Sequence, residues 1–190
     1  MKIVPCLYLS FCLLSQLVYA GPEGSLAHRG KLLLREDFER PELPQLFTVG
    51  KGDWKIVDGT LRGRQLADDR HTAFRKIFLD HQDVIYEYGM KLEGDGFHQL
   101  LINWDLVHIA KCVVRYDSLT VFKSKEKKKR LQMEAENRDQ GLDPLRGEWD
   151  QPTTAMDQQA IQLEKDKWYH VVVELVGDTL SLTLDGVTAR

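Results

Sequence analysis

Apolar and polar positions alternate with a period of two along much of this chain. Val84, Tyr86, Tyr88, Met90 and Leu92 alternate with Ile85, Glu87, Gly89 and Lys91, which puts the first set on one face of a long strand. Val171, Val173 and Leu175 alternate with His170, Val172 and Glu174, and Leu180, Leu182 and Leu184 with Ser181 and Thr183. The same reading predicts strands over 32–38, 54–57, 60–63, 72–79, 97–104, 107–115 and 119–123. Their separators carry turn chemistry: Asp58-Gly59, Gly94-Asp95-Gly96, Asp117-Ser118, Gly177-Asp178 and Asp185-Gly186. Many short strands joined by tight turns, with no helix long enough to cover a parallel sheet, predict an all-β, antiparallel two-sheet jelly-roll sandwich.

Two stretches break the pattern. Met1-Lys2 is followed by the uncharged run IVPCLYLSFCLLSQLVYA, which ends at Ala20 before Gly21-Pro22. A short positive start, an apolar core and a small residue at the cut describe a secretory leader over 1–20. Pro5, Ser10, Ser15 and Gln16 argue against a membrane anchor, which needs about 20 apolar residues. Residues 21–31 then form a linker, with the domain over 32–190. The second break is 123–159, a polar, partly helical insertion that opens with KSKEKKKR. Helix-forming residues dominate 125–140, and Pro144 and Pro152 exclude a regular element further on. A solvated helix and loop is the simplest reading, because the nine acids from Glu134 to Asp166 offset the basic run.

Composition narrows the function. The 190 residues carry 26 Lys+Arg against 29 Asp+Glu, a net charge of -3, so no overall attraction draws the chain to nucleic acid. Removing the leader takes Lys2, Cys6 and Cys12 away and leaves one cysteine, Cys112. No internal disulfide is then available, and the exported domain, secreted or periplasmic, must rest on its apolar core. Cys112 lies in the apolar run 107–114 and reads as a small core residue. After leader cleavage no stable membrane span remains, and oligomeric state is left open.

Strong catalytic signatures are absent: no Gly-x-Ser-x-Gly elbow, no His-Glu-x-x-His, no phosphate-cradling Gly-x-x-x-x-Gly-Lys and no Cys-x-x-Cys. The candidate chemistry lies in the hairpin FHQLLINWDLVHIAKCVV, residues 97–114. With Asp105-Leu106 as a two-residue turn, Asn103 faces His108, and both share a face with Gln99 and Cys112. Leu100, Ile102, Ile109 and Val113 then take the drier face. A longer turn would bring His98 in place of Gln99. An imidazole, two carboxamides and the Asp105 carboxylate suit sugar hydroxyls, which need paired donors and acceptors, and Trp104 offers a flat surface for a sugar ring. The candidate ligand-binding residues are therefore His98, Gln99, Asn103, Trp104, Asp105 and His108, with His108 and Asp105 as acid/base candidates. A hydrogen-bonded structural role remains the commoner one for either histidine. Glu87, Glu93 and Asp95 are the other carboxylates available for paired acid/base work. No metal site and no cofactor are expected. A structural calcium would need a dense run of Asp and Asn oxygens, which no loop carries.

Asp37-Phe38, Trp54 with Asp58-Gly59-x-Leu61, the strand 83–92, and Trp168-x-His170 leading through Gly177-Asp178 to Asp185-Gly186 resemble the 3-keto-disaccharide hydrolase domain family over roughly 33–187. Much of that pattern is shared with concanavalin-A-like and laminin-G-like jelly rolls. The resemblance implies two curved antiparallel sheets with carbohydrate bound on the concave face or at rim loops. It also implies at least one further strand beyond the Asp185-Gly186 hairpin, so the domain is expected to be C-terminally truncated at Arg190. Three functions remain in view: an exported carbohydrate-binding or glycan-processing module, a hydrolase of 3-keto-glycosides, and a structural or interaction domain without a small-molecule site.

Overall fold

A computed structural model describes residues 25–104, 107–124, 135–142 and 153–190, with the side chains of 49, 104 and 107 outside the description. The expected leader and most of the basic run lie outside the described residues. Twelve strands are described: β1 Thr48–Lys51, β2 Asp53–Val57, β3 Thr60–Arg64, β4 Phe74–Lys76, β5 Val84–Lys91, β6 His98–Trp104, β7 Val107–Val114, β8 Ser118–Ser124, β9 Thr153–Ala160, β10 Trp168–Val176, β11 Thr179–Leu184 and β12 Val187–Ala189. The chain divides into two compact units, Arg29–His81 and the remainder.

The larger unit is all-β, a jelly-roll-like sandwich of two four-stranded antiparallel sheets, ordered β12-β11-β10-β5 and β6-β7-β8-β9. Alternation builds it directly. Tyr169, Val171 and Val173 on β10, Leu182 and Leu184 on β11 and Met90 on β5 face Cys112 and Val114 on β7 and Leu119 and Val121 on β8. Leu119, Val171, Val173, Leu182 and Leu184 are completely buried. A fully buried aliphatic side chain contributes roughly 1.5–3 kcal/mol through area removed from water, and among the described residues Cys112 is a free cysteine, so this burial and not a disulfide holds the described sheets together. Cys112, 1% exposed, is a core residue as expected, and burial pushes its thiol up to about 12.

The turns are those the dipeptides demand. Asp58-Gly59 and Asp185-Gly186 each place both residues at positive φ, the primed geometry that matches strand twist. The β10–β11 turn is pinned from outside, where the Gly177 amide donates to Asp83 Oδ1 at 2.8 Å.

In the smaller unit β1 pairs with β4 and β2 with β3, all antiparallel. The Trp54 ring lies across Gly63, where an added Cβ would stand 2.5 Å from the indole, so that position requires glycine.

Three expectations need correction. Residues 32–38 form no strand: Leu32 is 72% exposed, and Glu36 and Asp37 accept from the amides of Phe38 and Glu39 instead, local bonds that compete with sheet pairing. The expected strand 72–79 shortens to β4. Strand β9 runs through 153–160, inside what reads as a polar insertion; it is the edge strand beside β8, and an edge tolerates polar residues on both faces. Helix is described in the insertion only over 135–139.

Candidate functional site

In the β6–β7 hairpin Asn103 stands opposite His108 and Trp104 opposite Val107; Asp105 and Leu106, the expected turn, lie outside the described residues. Its two strands do not keep that register. Ile102 pairs with Ala110, which leaves Ile109 as an extra residue on β7, and Leu100 then pairs with Cys112, Gln99 with Val113 and His98 with Val114. This bulge inverts one strand's parity relative to the other. Gln99 therefore does not share a face with Cys112, as the simple alternation predicts, and Leu100 sits opposite that cysteine on the core side.

The bulge leaves two polar pairs on opposite faces of one hairpin. On the core side, the His98 Nε2 and the Tyr88 hydroxyl share a 2.8 Å hydrogen bond, with the rings edge-on and centroids 5.4 Å apart. Burial pushes the His98 imidazole down to about 4 and holds the Tyr88 phenol well above its ordinary value. Both are neutral at neutral pH, and each satisfies the other, as buried polar groups must. At the turn, His108 Nδ1 bonds Asn103 Oδ1; Asn103 is exposed and His108 half-buried. Gln99 shares Asn103's face of β6 but stands four residues away, about 13 Å at strand rise. The structure therefore brings Asn103 and His108 together and separates His98 and Gln99 from them. The Trp104 side chain and Asp105 lie outside the described residues.

A second polar surface escaped the sequence reading. On the face of β5 and β10 away from the core, Lys91 pairs with Trp168, Gly89 with His170, and Glu87 with Val172. Trp168 is 53% exposed. Its six-membered ring occupies the space beside Gly89, where a Cβ would lie 3.6 Å from the indole. Lys91 Nζ stands 5.5 Å from the ring centroid and 2.9 Å from Glu93 Oε1. His170 Nε2 bonds Glu87 Oε1 at 2.9 Å. Alternation alone gives the outward direction of each residue. What it omits is the register that joins β5 to β10.

The same face holds a buried carboxylate. Glu174, 3% exposed, accepts from the Ser25 hydroxyl at 2.6 Å, the Leu26 amide at 3.1 and 3.2 Å, the Ala27 amide at 3.2 Å and the Ser181 hydroxyl at 3.3 Å. Burial alone would raise its pKa; the bonds from Ser25, Leu26, Ala27 and Ser181 outweigh it and hold the carboxyl below its ordinary value. This carboxylate is committed to holding residues 25–27 against the sheet.

Among the described residues, no group of three or more His, Cys, Asp or Glu side chains is placed to hold a metal ion, and no helix is long and apolar enough to cross a membrane. No protein-family model matches the chain, and no curated protein or solved structure matches it significantly.

Proposed function

We propose that this chain is an exported glycan-binding module of the jelly-roll type. The observation that carries the reading is the Asn103–His108 pair, an exposed carboxamide bonded to a half-buried imidazole on facing strands of one hairpin. Sugars are recognised by such mixed donor and acceptor pairs, and the leader-like start over 1–20 supplies the export. Isothermal titration of the purified protein against a panel of oligosaccharides tests this. Saturable heat with at least one glycan is expected, and no heat with any of them removes the reading.

The same pair supports a second reading, hydrolysis of 3-keto-glycosides, in line with the family resemblance. Asn103 Oδ1 holds His108 by Nδ1 and so fixes the ring, as an acid/base imidazole requires. Release of free sugar from a 3-keto-glycoside, lost in folded His108→Ala protein, is the result this reading predicts; unchanged turnover in that variant contradicts it.

A further inference from the structure

We infer that the outward face of β5 and β10 is a carbohydrate-stacking platform for neutral, β-linked pyranosides, centred on Trp168. The inference rests on the glycan-binding reading and adds a place and a ligand class to it.

Three features converge there. The first is an apolar plane. Trp168 keeps 53% of its surface exposed although it belongs to a nine-residue strand, and its six-membered ring stands beside Gly89, 3.6 Å from where a Cβ would be. A pyranose whose substituents are all equatorial presents a face of axial C–H groups, and an indole is the side chain best suited to meet it. The second is a polar rim on the same sheet face. His170, two residues along β10 from Trp168, bonds Glu87 at 2.9 Å, and Lys91, directly opposite Trp168 on β5 with its Nζ 5.5 Å from the ring centroid, bonds Glu93 at 2.9 Å. Each pair offers carboxylate oxygens as acceptors and N–H groups as donors, the combination that hydroxyls spread around a sugar ring can share. The third is charge. Two carboxylates, one ammonium and one imidazole give the platform no cationic excess, so an anionic glycan gains no net attraction there. Neutral sugars fit the platform on all three counts.

The site differs from the Asn103–His108 turn, which belongs to the other sheet, so variants can separate the two. Calorimetric titration of cellohexaose, xylohexaose and hexagalacturonate into the purified wild-type protein, Trp168→Ala, Gly89→Leu and Asn103→Ala/His108→Ala is the test. Cellohexaose or xylohexaose is expected to bind and hexagalacturonate not. Trp168→Ala should weaken binding by about tenfold or more in protein that remains folded, because about half of the residue lies outside the packed structure. Gly89→Leu, which keeps the indole but displaces it, should also weaken binding. If both platform variants bind as wild type while the Asn103/His108 double variant does not, the platform is overturned and glycan binding stands. Preferential binding of hexagalacturonate overturns the ligand class. Absence of binding by every sugar overturns the platform together with the reading beneath it.

Discussion

One hairpin, β6–β7, carries two histidines with different partners. His98 bonds Tyr88 on the core side and is kept neutral by burial, whereas His108 bonds the exposed Asn103 at the other end of the strand pairing. Residue type does not distinguish them, and neither does strand alternation, because a single bulged residue, Ile109, lies between their registers. The partner decides what each imidazole can do: a half-buried phenol for His98, an exposed carboxamide for His108. The enclosed pair contributes to stability and reports pH, while the open pair is available to a ligand. The same division runs across β10, where Tyr169, Val171 and Val173 fill the core while Trp168 and His170 face outward beside the committed carboxylate of Glu174.

The comparison can be tested by the size of the effect at each place. The core sets the upper end. Leu182→Ala should cost about 2–5 kcal/mol in chemical denaturation, since Leu182 is completely buried between the sheets. A loss under about 1 kcal/mol would mean the two sheets pack less tightly than described.

The enclosed histidine comes next. Its folded-state pKa, about 4, lies below the ordinary value of 6.5, so the unfolded chain binds the proton more readily. Its contribution is therefore fully present above pH 6.5 and lost as pH falls from there toward 4, a change on the order of 3 kcal/mol. Denaturation followed across that window should show the slope in wild type and a flatter one in His98→Gln. An identical slope in both would place the acid sensitivity elsewhere. Glu174 acts in a lower window. A carboxyl held below its ordinary value stabilises above that value and loses its effect only as pH falls through the depressed one.

Glu174→Ala leaves the Leu26 and Ala27 amides without their acceptor and should cost roughly 1–3 kcal/mol. It should also speed proteolysis near residues 25–27, a readout that a general loss of packing would not confine to that segment. Asn103→Ala belongs at the bottom of the scale, within about 0.5 kcal/mol of wild type. A large loss there would make the exposed pair structural and remove its claim to ligand binding.

Most of the fold is legible in the sequence because β2, β3, β5, β6, β7, β8, β10 and β11 each combine period-two alternation with a turn dipeptide. Two regions resist it for physical reasons. Leu32, Leu33 and Leu34 supply an apolar run, yet residues 32–38 pair with no strand among the described residues and stay irregular. The 153–160 segment has almost no apolar signal, yet it pairs along the whole of β8, because an edge strand is held by backbone bonds more than by side-chain burial. The candidate site divides along similar lines. The Asn103–His108 pairing follows from a two-residue turn and was legible; the separation of His98 and Gln99 from it depends on the bulge. Trp168 and Gly89 lie far apart along the chain, so their meeting depends on a long-range register that no local pattern encodes.

The claim that ligand contacts fall to the open polar pairs and not to the enclosed one is tested most directly by following the histidine ring signals by NMR while cellohexaose or xylohexaose is added. The account predicts that the signals of His108 or His170 move with saturation while those of His98 stay fixed. Movement of His98 with both exposed histidines unchanged would contradict it.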